Sequence, residues 1–458
     1  MFINHDYIYN LLENANKATN DEIQSVLNKA KAVKGLSHKD IAILLQIKEP
    51  SQLKELFKLA GQVKDSIYGN RVVVFAPLYI SNYCVNNCTY CGYKRDNHIN
   101  RRKLSREEIQ EEVKLLEKMG HKRLALEVGE DPVNCPIEYI IDAIDAIYET
   151  TNQNGEIRRI NVNIAATTVD NYKKLYDANI GTYILFQETY HQPTYESTHP
   201  KSLKGNYEYH LTAFDRAMEA GLDDVGGGVL FGLADYKFEV MGLMLHNEHL
   251  ENNFGVGFHT ISVPRLKKAE GMDLNMFSNI LSDDEFKKIV AIIRLAVPYT
   301  GIILSTRESK EMRKELMNYG VSQISAGSCT GVGGYREKED GKDAAQFSIE
   351  DDRSPLEVLK ELVDDNFIPS YCTACYRKGR TGDTFMKLAK SGQIHNVCTP
   401  NALMTLMEFA LDYGDKDLYD KVQKTVISEV NKIEKNNLKN LIFNNIERLK
   451  QGERDLYI

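Results

Sequence analysis

No stretch of this 458-residue chain approaches the roughly 18 consecutive apolar residues that a membrane-crossing helix requires, so no membrane partner is expected. An excess of positive charge is missing too. The 57 lysines and arginines are outnumbered by 65 aspartates and glutamates, for a net charge of −8. A phosphate-backbone partner calls for a basic footprint, which argues against nucleic acid. The opening Met-Phe-Ile-Asn-His-Asp lacks the basic-then-apolar order of a secretory signal, and a cytoplasmic location is expected. Tryptophan is absent, which excludes nothing. What remains, 42% hydrophobic and 27% charged, is the make-up of an ordinary soluble globular protein.

In a reducing compartment the eight cysteines point to ligands rather than disulfides. Cys135 and Cys329 stand alone and read as small buried apolar residues. The other six form two triplets. Cys84, Cys88 and Cys91, in Asn82-Tyr-Cys-Val-Asn-Asn-Cys-Thr-Tyr-Cys-Gly92, have the spacing C-x3-C-x2-C. Three thiolates are one fewer than a closed tetrahedral zinc site or a fully ligated iron–sulfur cluster needs. A cubane held this way keeps one iron open. The competing reading is a zinc knuckle with a remote fourth ligand, although zinc loops usually bring C-x2-C pairs. Cys372 and Cys375, in Tyr371-Cys-Thr-Ala-Cys-Tyr-Arg377, are joined by Cys398 after twenty-two intervening residues. There zinc competes more seriously, because the pair is C-x2-C.

Residues 1–70 read as helices, with Ile23, Val26, Leu27, Ala30 and Val33 at helical spacing and Ser37 with Asp40 as a capping box. From residue 71 to 335 short β-rich runs alternate with amphipathic helices. The strands start near Val72, Arg123, Arg159, Gly181, Asp223, Phe258, Gly301 and Val321; the helices include 105–119, 137–148, 209–220 and 308–319. Eight such units predict an α/β fold, a (β/α)8 TIM-type barrel, with an open doubly wound sheet as the alternative. Residues 336–458 follow as a C-terminal region with its own cysteines, opening on the charged run Arg336–Asp343 and ending in a lysine-rich helical tail.

The polar punctuation falls at strand ends, which converge on one face of a barrel. Arg159, Asn161 and Asn163 alternate along one strand and share a face. Gln187, Glu188, Tyr190 and His191 follow the fourth strand, where they could position or deprotonate a polar substrate. Gly226-Gly-Gly228 lacks a dinucleotide-binding pattern and reads as a backbone bend. Arg307 sits where a guanidinium could clamp a carboxylate, with Ser325 beside it and Arg265 as the rival clamp. His259, at the start of the sixth strand, lies toward the opposite end of the barrel and by itself reads as a core histidine.

The first cysteine motif, with Tyr90 just before Cys91, resembles the signature of radical S-adenosylmethionine (SAM) enzymes. That resemblance implies a 4Fe-4S cluster whose open iron is chelated by SAM. It also implies SAM contacts for Tyr90, for Gly129 and Glu130 in Val128-Gly-Glu (valine here replaces the family's first glycine), and for Arg159, Asn161 and Asn163. Glu127–Pro132, Asn161–Thr167, Phe186–His191 and the Cys372/Cys375/Cys398 element together resemble the tyrosine lyases of FeFe-hydrogenase maturation, the HydG family, over almost the whole chain. The resemblance implies cleavage of the tyrosine Cα–Cβ bond to p-cresol and dehydroglycine, then CO and cyanide assembled as an Fe(CO)(CN) synthon. It implies a second, auxiliary 4Fe-4S cluster. An additional iron there is held by a non-protein cysteine and a histidine matching His259. Implied partners are L-tyrosine, a reductant protein such as ferredoxin or flavodoxin, and other hydrogenase maturation proteins. The alternatives are the related 2-iminoacetate synthase of thiazole biosynthesis, which lacks the closing cluster motif, and a non-catalytic iron–sulfur carrier or scaffold.

Overall fold

The computed structural model describes residues 2–152, 155–339 and 347–458. Its strands are Arg71–Ser81 (β1), Arg123–Val128 (β2), Thr151–Asn152 (β3), Gly155–Glu156 (β4), Arg159–Asn163 (β5) and Tyr183–Ile184 (β6). Val225–Gly228 (β7), Thr260–Ser262 (β8), Gly301–Leu304 (β9), Gln323–Ser325 (β10) and Ile368–Ser370 (β11) follow. β1, β2 and β5 to β10 pair in parallel in that order, and β10 returns to β1. The sheet therefore closes into an eight-stranded barrel, and the open-sheet alternative falls. β3 and β4 form a separate antiparallel pair.

β1 explains the barrel in miniature. Val72, Val74, Ala76, Leu78 and Ile80 are fully buried, whereas the alternate residues Phe75, Pro77 and Tyr79 line the interior cavity. The period of two thus puts one set under the surrounding helices and the other inside.

Helices His5–Ala15 (α1), Asn20–Ala30 (α2), His38–Leu44 (α3) and Pro50–Tyr68 (α4) form the N-terminal extension. Thr19 with Glu22 and Ser37 with Asp40 make reciprocal capping boxes that start α2 and α3. Val33 stands beyond the end of α2 at φ +54°. Of the barrel helices, Arg106–Lys118 starts from Ser105 with Glu108, as expected. The expected helix 209–220 is broken at Thr212 into Tyr207–Leu211 and Ala213–Glu219. The expected helix 308–319 starts at Lys310, capped by Ser309, which frees Glu308 for another partner. Of the charged run Arg336–Asp343, the first part is helical (Gly334–Glu339) and residues 340–343 lie outside the described residues.

The C-terminal region is not purely helical. β11 pairs with Arg71–Val73, on the same edge of β1 that β10 occupies at Val73–Phe75. Helices His395–Asp412, Lys416–Lys432 and Asn436–Lys450 follow it. Among the described residues no helix is long and apolar enough to cross a membrane.

Candidate active site

The cavity at the C-terminal mouth of the barrel has a volume of about 270 Å³. Cys84, Cys88 and Cys91 form part of its wall, with Tyr90, Gly129, Glu130, Asn163, Glu188, Arg307 and Ser325. The cysteine loop follows β1 and is tied to the next strand end: Val85 N donates to Glu130 O at 2.8 Å, and Asn86 Nδ2 donates to the Glu130 carboxylate. Gly129 is glycine because a Cβ would stand 2.3 Å from Tyr83 O. Burial raises all three thiols above their ordinary range and raises Glu130 as well, against the Asn86 hydrogen bond.

Two side-chain pairs steady this wall. Lys204 Nζ meets Glu188 Oε1 at 2.6 Å. Burial disfavours that ammonium, but Glu188 and the Cys88 sulfur outweigh it and hold the lysine charged. The Tyr90 hydroxyl lies 2.7 Å from His199 Nε2, and His199 Nδ1 lies 2.7 Å from Tyr195 O. A carbonyl can only accept, so the ring proton sits on Nδ1 and Nε2 accepts from Tyr90. Burial and Lys204 push His199 down to about 3, so it stays neutral.

On the far side Arg307 lies over the Phe347 ring, 3.5 Å from its centroid. Its rival is occupied: Arg265 donates to Glu308 at 2.9 and 2.6 Å and to Asp283 at 2.6 Å. Arg265 is therefore a structural ion-pair centre rather than a free clamp. Ser325 Oγ accepts from Thr306 N at 3.2 Å at the end of β10.

Several expected residues do not reach the cavity. Arg159 shares a face with Asn163 but stands four residues, about 13 Å, lower along β5. Its guanidinium donates to Asn179 O at 3.0 Å and stacks on Tyr376 at 4.0 Å, at the opposite mouth. Asn161 is spent inside the barrel, where its Oδ1 accepts from Thr182 N at 3.0 Å. Gln187 is buried but is not a lining residue; Ile184, Phe186 and Glu188 take the inward positions. Tyr190 and His191 serve packing, Tyr190 through its hydroxyl to His246 Nδ1 at 2.9 Å and His191 by stacking on His5. Gly226–Gly228 is not a bend but β7 itself: a Cβ on Gly227 would stand 2.7 Å from the Phe258 ring, and one on Gly228 2.7 Å from Phe186.

Missed by sequence reasoning were Glu127, Tyr79 and Lys204, all lining residues, and His199 behind Tyr90. Strand parity could have found Glu127, since Ala125 and Glu127 both line the interior. Lys204 and His199 come from the segment after β6 and carry no local signal.

The second triplet lies at the other end of β1. Cys372 follows β11, Cys375 lies in the turn Ala374–Arg377, and Cys398 in the helix His395–Asp412. The Cys375 thiol donates to Cys398 and is itself pushed up, while Cys398 is favoured as thiolate by that bond and by Arg71 and Arg380 nearby. Arg123 donates to Cys372 O at 3.4 Å. His259 faces this end: its ring meets Phe385, between Cys375 and Cys398 in sequence, at 4.6 Å. Its Nε2 is 3.9 Å from Asp224 Oδ2, and its buried Nδ1 has no hydrogen-bond partner among the described residues.

Residues 78–241 match the Radical SAM superfamily, and residues 262–368 match the Biotin and Thiamin Synthesis associated domain. A crystal structure of HydG, a maturase of the FeFe-hydrogenase, is 56% identical with a TM-score of 0.97, covering 100% of both chains. The chain belongs to the HydG family of radical SAM enzymes. HydG from Carboxydothermus hydrogenoformans is similar at 40% identity and TM-score 0.84, over 96% of this chain and 97% of that one. The 2-iminoacetate synthase of Escherichia coli is 28% identical over 77% of this chain and 90% of its own length. A radical SAM enzyme uses a 4Fe-4S cluster and SAM. The HydG-type cavity suits both, since three soft donors, Cys88 buried and Cys84 and Cys91 half-buried, share one wall with the close-approach glycine Gly129 and the half-buried carboxylate Glu130.

Proposed function

We propose that the chain is the tyrosine lyase of FeFe-hydrogenase maturation, cleaving L-tyrosine to p-cresol and dehydroglycine. The fragment is then converted to CO and cyanide, which leave as an Fe(CO)(CN) synthon. The observation that carries this reading is the full-length likeness to HydG together with Arg307, which lines the same cavity as the first cysteine triplet and among the described residues forms no ion pair.

Cys84, Cys88 and Cys91 would hold a 4Fe-4S cluster that, with SAM bound, would supply the 5′-deoxyadenosyl radical. The chain's own residues bind and orient. Glu130, held by Asn86, would receive the SAM ammonium group; Tyr90, braced by His199, would pack against the adenine; Asn163 would meet the ribose. Arg307 clamps the tyrosine carboxylate bidentately, helped by Ser325. Glu188, tied to Lys204, keeps the Cys88 side of the wall balanced in charge.

Cys372, Cys375 and Cys398 hold the auxiliary 4Fe-4S cluster. Three thiols beside the guanidinium groups of Arg71 and Arg380 suit an anionic thiolate-bound group. His259, through its buried Nδ1, is the ligand proposed for the additional iron with its non-protein cysteine. The working division is a helical extension (1–70), the barrel (71–335) and the auxiliary-cluster region (336–458). A reductant protein, other maturation proteins and a cytoplasmic setting complete the proposal.

Anaerobic turnover with tyrosine, SAM and dithionite tests it. p-Cresol with CO and cyanide is expected. p-Cresol without them would favour a 2-iminoacetate synthase, and failure to cleave SAM would favour a carrier or scaffold.

A further inference from the structure

A zwitterionic substrate needs a place for its ammonium as well as its carboxylate. Three glutamates line the cavity: Glu127, Glu130 and Glu188. Glu188 is committed to Lys204 at 2.6 Å, and on the proposed function Glu130, tied to the cysteine loop through Asn86, is taken by the SAM ammonium group. Glu127 is left. It ends the inward row of β2, directly across the register from Asn163 of β5. Asn163 Nδ2 donates to Glu127 Oε2 at 2.7 Å, fixing the carboxyl while leaving Oε1 to the cavity. Among the described residues Glu127 forms no ion pair.

The groups facing Glu127 are Asn163 from β5, Tyr79 from β1, Tyr93 from the cysteine loop and Arg307 from beyond β9. Only Arg307 carries charge, and on the proposed function that charge is taken by the substrate carboxylate. Burial outweighs Asn163 and Arg307 and raises the Glu127 carboxyl to about 8. That is close to the value of an ordinary α-amino group, about 8. A proton can therefore pass in either direction between such partners.

On the proposed function, as the family resemblance implies, the hydrogen atom is taken from the tyrosine nitrogen, which requires a neutral amine, since an ammonium has no lone pair to stabilise the resulting radical. We propose that Glu127 binds the tyrosine amino group and takes from it the proton that must leave before that abstraction. The transfer balances: R–NH3+ and a carboxylate become R–NH2 and a carboxylic acid, so no charge is left buried. The cost of desolvating an ion pair in the barrel is avoided.

The proposal rests on the tyrosine reading of the site, and the test separates the two. SAM-bound, unreduced, cluster-loaded enzyme is titrated calorimetrically with L-tyrosine and with 3-(4-hydroxyphenyl)propanoate, which lacks the amine, in buffers of different ionisation heat. In the wild type, tyrosine binding should release about one proton near pH 7, because both free partners are protonated below about pH 8, and progressively less above it. Glu127→Gln should abolish the release and weaken tyrosine about 10- to 100-fold. The amine-free ligand should bind this variant as it binds the wild type, which also establishes that the variant folds. Glu127→Asp should retain proton release. Equal weakening of both ligands, or lost SAM affinity with tyrosine affinity intact, would overturn the assignment. Failure of the wild type to make p-cresol would instead sink the tyrosine reading itself.

Discussion

Arg307 and Arg265 carry the same guanidinium in opposite circumstances. Arg265 is saturated by Glu308 and Asp283, so Arg265→Lys should cost folding stability rather than substrate affinity. Arg307→Lys removes the fork from the cavity, and a lysine ammonium cannot reproduce a bidentate pair. Tyrosine affinity should fall by about 1.5–3 kcal/mol, read as the binding constant in the presence of SAM. Unchanged affinity would remove Arg307 from the site. His199 offers a second residue-scale prediction with a definite sign. Its folded value of about 3 lies below the ordinary 6.5, so the unfolded chain binds a proton that the native state refuses. Stability from this group is therefore complete above pH 6.5 and falls by about 1.4 kcal/mol per pH unit below it. Anaerobic urea unfolding at pH 7, 6 and 5 should give a shallower acid slope for His199→Phe than for wild type; identical slopes would refute the buried neutral imidazole. What was legible at this scale was whatever a motif or a strand end announces: Cys84, Cys88, Cys91, Arg307 and Glu130 all line the cavity. Arg159 and Asn161 misled because alternation reports which face a side chain takes but not how far down the barrel it stands.

The elements were readable where one local rule decides them. Ser105 with Glu108 and Ser37 with Asp40 set helix starts through hydrogen bonds within four residues of chain. β6 and β8 are only two and three residues long, yet the apolar runs around them marked both, because every barrel strand is buried on two faces. The break at Thr212 and the pairing of β11 with β1 were not readable, since each depends on tertiary packing or a partner far away in sequence. Gly129 shows how tightly one element is pressed on another. Gly129→Ala would put a methyl 2.3 Å from Tyr83 O and 3.5 Å from the Cys84 Cβ, forcing the β2 turn away from the cysteine loop. A stability loss of about 1–3 kcal/mol is expected, together with weakened SAM binding. An unchanged melting midpoint and SAM titration would mean that the loop yields freely.

On the scale of the whole molecule β1 is the organising distance. Its eleven residues run from Arg71, beside Cys398 and β11, to Ser81, just before Cys84. A strand of that length spans about 30 Å. The two triplets therefore lie at opposite mouths of one barrel and share no residues. On the proposed function, Cα–Cβ cleavage depends on the first mouth and conversion of the fragment on the second. Replacing Cys372 and Cys375 together by alanine should leave the first triplet, the cavity and Arg307 unchanged, because none of the cavity-lining residues belongs to the region after Phe347. The variant should still cleave SAM and release p-cresol at a rate within a few-fold of wild type. Iron content should drop by about one cubane, and CO in the infrared carbonyl region should be lost or strongly reduced. The separation of roles fails if p-cresol disappears from a variant that still carries the first cluster and binds SAM normally. Loss of p-cresol together with SAM binding would instead mean that the auxiliary end supports the fold of the barrel, through the pairing of β11 with Arg71–Val73. Replacing Cys398 alone, which lies in a different element from Cys375, separates these outcomes: it takes one ligand from the same set without touching β11 or the turn that follows it.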